Sequence, residues 1–135
     1  MRLSRLSGPI ELDGVPDEPA WTSVDPLPVV MYQPVYAGKM TESTDIRVAY
    51  DDHHIYVAGF LRDGDPTGVR ANSMYRDQYS GDDTFAIILD TFSDNENALW
   101  FFTTPNGIRF DSAISNDAES GFRSTNSSWN TLWDG

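Results

Sequence analysis

The sequence predicts an all-β fold, an antiparallel β-sandwich, on three observations. Residues 44–50 alternate in polarity with period two, placing Ile46, Val48 and Tyr50 on one face and Asp45, Arg47 and Ala49 on the other. Three further runs, Ile55 to Leu61, Phe85 to Leu89 and Ala98 to Thr103, are almost wholly apolar and short enough to be strands. Asp, Gly, Pro, Asn and Ser separate these runs, and no segment shows a sustained period of 3.6. Several short strands punctuated in this way indicate two packed antiparallel sheets.

Taken in order, Asp17 to Val24 suits a single helical turn, because Pro19 fits a first turn whose N–H groups are unpaired anyway. Leu27 to Tyr32 is a weaker early strand. The strand over 44–50 runs into Asp51-Asp52-His53-His54, a turn, and Ile55 to Leu61 returns as the second arm of a hairpin. Being apolar on both faces, Ile55 to Leu61 is expected to lie centrally in its sheet. Residues 66–81 could hold a short helix, weakened by Gly68 and Gly81. Pro105-Asn106-Gly107 is a tight turn suited to positive φ, and Ile108 to Ile114 alternates after it. Asn116 to Ser128, rich in Ser, Asn, Asp and Gly, is expected to be a loop. The expected core is Trp21, Ile46, Val48, Ile55, Val57, Phe85, Ile87, Leu89, Leu99, Phe101, Ile108 and Phe110, within a single domain over residues 1–135.

A formal charge of −12 excludes a basic nucleic-acid footprint and disfavours an anionic membrane surface. Of 21 carboxylates, 16 are Asp and 5 are Glu. The short Asp side chain reaches nearby backbone or a hard cation, so this bias favours inter-strand loops and raises calcium as a structural cofactor. The absence of cysteine removes disulfides, thiolate-ligated zinc and thiol catalysis. Residues 1–7 carry Arg2 and Arg5 but no apolar run follows, so no signal peptide is expected in this chain, and no stretch has the length of a membrane span. Direct membrane insertion by this segment is not expected.

Few constellations could carry catalysis. His53 and His54 are adjacent in a turn, a poor geometry for sharing a metal. A glycosidase needs two carboxyl groups roughly 5–10 Å apart across a sugar-sized cleft, and Asp82 with Asp83 would face opposite ways. For calcium, the candidate ligands are Asp63 and Asp65 on one short loop and Asp90 and Asp94 on another. Among the aromatics, Tyr75 and Tyr79 fall in an irregular stretch and are expected to be exposed, where a ring could stack on the C–H face of a sugar. Trp129 and Trp133, four residues apart, share a face on a strand or a helix.

A set of motifs recurs in a fixed order. Ile10-x-Leu12-Asp13-Gly14 leads to Asp17-Glu18-x-x-Trp21, followed by Val48-Ala49-Tyr50-Asp51-Asp52-x-x-Ile55-Tyr56-Val57. Arg76-Asp77 comes next, then Asp82-Asp83-x-Phe85-x-x-x-Leu89-Asp90-Thr91-Phe92-x-Asp94. Phe101-x-x-x-Pro105-Asn106-Gly107-x-x-x-Asp111 and Ser128-Trp129-Asn130-Thr131-Leu132-Trp133 close the series. Together these resemble the family 9 carbohydrate-binding-like N-terminal domain of bacterial exported proteins, in which it precedes a long β-rich region of unknown function associated with the outer membrane.

The resemblance implies a non-catalytic carbohydrate-binding-like module of a larger exported protein located in the periplasm, outer membrane or cell surface. The alternative is a structural or interaction domain that kept the sandwich and lost its sugar site, and a third is part of a membrane-associated glycoside hydrolase. The implied ligand is a glycan, with Tyr79, Tyr75, Trp100, Phe102 and Thr104 as candidate contacts. Ala86, Phe102 and Thr104 stand where sugar-binding members carry polar groups, so the resemblance implies a weak grip on simple sugars. Family members continue with further strands, so the resemblance also implies a sandwich lacking its last strands. An open sheet edge would then favour self-association, or the tail over 116–133 would repack with Trp129 and Trp133 as hydrophobic plugs.

Overall fold

A computed structural model describes residues 2–78, 81–116 and 124–135. They form two compact units, residues 1–66 and 67–135. The fold is β-rich, with one three-stranded and one four-stranded sheet and two short 3-10 turns at Pro19–Ser23 and Pro66–Gly68.

In the first unit, β1 (Ser4–Arg5) lies parallel to β2 (Thr44–Tyr50), which forms an antiparallel hairpin with β3 (Ile55–Leu61). The hairpin has the expected bounds, and its turn is fixed by Asp51. One Asp51 oxygen, Oδ1, accepts the backbone N–H of His53 (2.7 Å) and of His54 (2.8 Å). The core, however, lies on the face of β2 opposite to the one predicted. Ala49 and Ala58 are buried beneath Leu6, Ala20, Trp21 and Val24, with Ile10 and Tyr56 packed at the margin. Two alanines side by side leave a shallow floor on which the Trp21 indole, 5% exposed, sits. Ile46 and Val48, on the other face, are half-buried, and Ile55 is 56% exposed rather than in the core.

Arg47 shares the Ala49 face and ties the N-terminal segment to the sheet. Its Nη1 donates to the carbonyls of Trp21 (2.7 Å) and Val24 (3.0 Å), while Nε and Nη2 grip Asp45 at 3.1 and 3.0 Å. The fork thus adds a second donor to the Trp21 carbonyl, which already takes Val24 N–H (3.1 Å), and gives the Val24 carbonyl a partner. The early strand expected over residues 27–32 is absent. Pro26 and Pro28 each remove a backbone donor, and a single bond from Leu27 N–H to the Ile46 carbonyl (2.7 Å) is what remains.

In the second unit the sheet order is β4 (Phe85–Leu89), β5 (Ala98–Thr103), β6 (Arg109–Ile114) and β7 (Thr125–Asn126), antiparallel throughout. Pairing Ile87 with Phe101 and Phe101 with Asp111 puts these on one face, along with Phe85, Leu89, Leu99, Thr103 and Arg109. The other face carries Ala86, Ile88, Trp100, Phe102, Phe110 and Ser112. There Phe102 stacks on Phe110 with centroids 4.5 Å apart, and Trp100 meets both rings at 5.5 and 5.6 Å. The β5–β6 connection is a turn closed by Gly107 N–H to the Thr104 carbonyl (2.8 Å), and positive φ falls on Gly107 alone (+70°). That is a type I turn followed by a left-handed glycine, a common three-residue hairpin loop. Residues 66–81 were expected to hold a short helix. Among the described residues their only helical element is the Pro66–Gly68 3-10 turn. Part of the expected loop over 116–128 lies outside the described residues, and β7 occupies Thr125–Asn126 within it.

Candidate functional site

The segment from Asn72 to Asp77 is the most tightly anchored irregular stretch of the second unit. At its start, buried Asp82 accepts the backbone N–H of Asn72 (2.6 Å) and Ser73 (3.0 Å) and the Asn72 side-chain amide (2.9 Å). These donors, led by the Asn72 N–H, hold the Asp82 carboxyl well below the usual carboxylate range, so it stays charged at neutral pH. From the side, Asn106 donates to the Ala71 carbonyl (2.7 Å) and the Ser73 carbonyl (3.5 Å). At its end, Arg76 forms an ion pair with Asp111, and Asp77 N–H bonds the Arg109 carbonyl (3.2 Å).

Asp111 is the hub of a second network. It is 2% exposed, on the Phe101 face of the sheet, where a lone carboxylate would be costly. Besides Arg76 it takes the backbone N–H of Thr131 (2.8 Å) and lies 3.4 Å from Trp133 Nε1. Arg76 also donates to Asn130 (2.7 Å), and Arg109 donates to the Trp133 carbonyl (2.5 Å) and Asp134 (2.7 Å). Trp129 and Trp133 set their edges against Phe101, with centroids 5.9 and 5.6 Å away. The tail over 129–134 thereby covers the Phe101 face. Both tryptophans act as plugs with polar pins on either side.

Between the Asp82 and Asp111 anchors stands Tyr75, 73% exposed, with Met74 beside it also exposed. Its carbonyl takes Gln78 N–H at 3.3 Å, which closes the turn behind the ring. The anchors fix the backbone that carries the ring, and the ring itself projects into solvent. The next residue, Arg76, has a side chain that is 38% exposed.

The other residues singled out by the sequence fall elsewhere. Tyr79 lies outside the described residues. Phe102, 2% exposed, is stacked against Phe110, and Trp100 is half-buried beside both. Thr104 is buried at the hairpin turn, where its hydroxyl accepts Ile108 N–H (3.3 Å) and its backbone exchanges bonds with Ile108 and Gly107. Trp100, Phe102 and Thr104 thus face internal partners, whereas Tyr75 faces solvent.

The acidic loops are organised by backbone donors. Asp63 accepts Asp65 N–H (2.7 Å) in the turn after β3. After β4, Asp90 accepts Asp94 N–H (3.3 Å) and Asn95 N–H (3.1 Å), and Asp94 accepts both N–H groups of Asn97 and that of Glu96. Asn97, first through its side chain, holds the Asp94 carboxyl below its ordinary pKa. Among the described residues no three His, Cys, Asp or Glu side chains converge into a metal-binding group. Calcium takes six to eight oxygens, and each of these carboxylates also closes its own turn.

Two shallow hollows are found in the first unit, of about 360 Å³ against Ser7, Gly8, Glu18 and Ala20 and about 550 Å³ against Arg2, Arg5, Ser23 and Tyr50. Neither is lined by a candidate glycan or metal contact from the sequence. No described helix is long and apolar enough to cross a membrane. In comparisons with family models, curated proteins and solved structures, nothing matches the chain.

Sequence reasoning missed Asp82 and Asp111 as organisers. Both stand in motifs that carry the family resemblance. Asp111, however, alternates with Arg109 and Ala113 and so looks like part of a solvent face. Only the tail, some twenty residues later in the chain, makes that position buried.

Proposed function

We propose that the chain is a non-catalytic β-sandwich module of the carbohydrate-binding type, belonging to a larger exported bacterial protein, with Tyr75 as its principal stacking residue. The observation that carries this reading is the exposed Tyr75 ring held between the Asp82 and Asp111 anchors. A sugar's C–H face needs a flat, accessible ring, and the neighbouring Arg76 guanidinium supplies a donor that can orient hydroxyl groups. The export assignment rests on the family resemblance alone.

Asp45, Asp51, Asp82 and Asp94 are held below their ordinary pKa by hydrogen bonds, so these four are unsuited to act as a glycosidase acid, which requires the opposite shift.

The second reading, an interaction domain that kept the fold and lost the sugar site, is favoured by one observation. Phe102 and Thr104 are buried and engaged with internal partners. Calorimetry against soluble β-glucan and xylan oligosaccharides separates the two. The carbohydrate reading expects weak binding that falls at least tenfold in Tyr75→Ala and survives in Tyr75→Phe. Absence of heat with every glycan, or binding indifferent to Tyr75→Ala, leaves the interaction domain.

A further inference from the structure

Strand β4 has the composition of a central strand but occupies an edge. Phe85-Ala86-Ile87-Ile88-Leu89 is apolar on both faces, yet the sheet order places β4 outermost. On the side away from β5, its peptide groups have no hydrogen-bond partner among the described residues. Edges are normally protected by a lysine, a proline, a bulge or a covering segment. β4 has none of these within its span, and Ile88 is 61% exposed.

Extended chain already pairs just before this edge. Asp83 N–H donates to the Arg70 carbonyl (2.9 Å), and Arg70 N–H donates to Asp83 Oδ2 (2.9 Å). The contact stops there, leaving Phe85 to Leu89 open.

The charges at its two ends select what the edge accepts. Asp82 and Asp83, offset by Arg70, stand at the start, and Asp90 and Asp94 stand just past the end. An antiparallel second copy would bring the acidic end of one strand against the net-acidic end of the other, which opposes self-pairing. A strand with positive charge at both ends is complementary. β3 is also an outer strand, but Asp52 before it is ion-paired with Arg5, and Arg62 stands directly at its end ahead of Asp63 and Asp65.

We propose that the outer edge of β4 is a strand-docking site that takes an extended segment of a partner polypeptide, apolar at alternate positions and cationic at both ends. Main-chain hydrogen bonds extend the four-stranded sheet, alternate side chains of the segment lie beside Ile88, and the terminal cations meet the exposed Asp83 and Asp90.

The test uses the 135-residue chain and a labelled synthetic peptide of alternating valine and threonine with two arginines at each end. Fluorescence anisotropy at low ionic strength should show saturable binding. A peptide with glutamates at its ends should bind at least roughly tenfold more weakly. Hydrogen exchange should show new protection at residues 85–89, and Ile88→Lys, at an exposed position, should abolish binding while the melt stays cooperative. If binding fails, ignores the sign of the end charges or leaves the exchange of residues 85–89 unchanged, the proposal is overturned. Light scattering that shows self-association lost in Ile88→Lys would also overturn it, by making the occupant a second copy.

Discussion

Asp51, Asp82 and Asp94 each use a short carboxylate to close a turn, and each stays charged because N–H donors point at it. For Asp51 the backbone N–H groups of His53 and His54 and the Tyr56 hydroxyl (2.9 Å) lower the pKa from 3.8 to about 2. A carboxyl depressed in the folded state stabilises the fold above its unfolded pKa, and that contribution is lost as pH falls toward the folded value. Stability is therefore expected to decline as pH drops from about 4 to about 2, and Asp51→Ala should flatten part of this decline; melts at stepped pH check both. Arg47 is a different case, since it binds two carbonyls and a carboxylate at once. Arg47→Ala is expected to cost about 1–3 kcal/mol by denaturant unfolding, with Arg47→Lys recovering part, because one ammonium cannot reproduce the fork. Ser112 is fully buried, and its hydroxyl has no hydrogen-bond partner among the described residues. Ser112→Ala should raise stability by up to about 1 kcal/mol, since an unmet polar group is removed at little loss of packing.

Among the elements, β5 holds the second unit together, because its two faces serve different neighbours. Phe102 lies within the Trp100–Phe110 cluster, and Phe101 receives the tail tryptophans. Phe102→Ala is expected to cost about 3–5 kcal/mol, from lost transfer energy and the cavity left behind. Trp133→Ala should cost less, about 1–3 kcal/mol, as that ring is half-buried, and it should also loosen the Thr131 amide toward hydrogen exchange. Equal costs for the two would mean that the tail is as much core as β5.

For the whole molecule, the charge of −12 acts through loops whose aspartates are already satisfied by their own turns. Calcium binding to the native state would raise the melting temperature by mass action. With carboxylates so occupied, melts in EDTA and in millimolar calcium are expected to coincide, and a rise of several degrees in calcium would return a cation to the Asp90–Asn97 turn. A net charge of this sign opposes polyanionic ligands electrostatically.

The strands themselves were legible in the sequence, because period-two polarity and turn chemistry are local signals. Thr44–Tyr50, Ile55–Leu61, Phe85–Leu89 and Ala98–Thr103 stand where the sequence puts them. Trp21 was legible as core for its size, and Tyr75 as exposed for its irregular surroundings. Which face of each sheet is covered was not legible. The Ala49 face of β2 is buried because an N-terminal segment some twenty-five residues away lays Trp21 on it, and the Asp111 face of β6 because the tail returns over it. Edge or centre was misread: Ile55–Leu61, expected to lie centrally because it is apolar on both faces, is an outer strand, since an apolar strand reads alike in either place until its neighbours are known. Local chain chemistry sets the period of a strand, but burial belongs to whichever distant segment lies on top, and for this protein only the tertiary structure decided that.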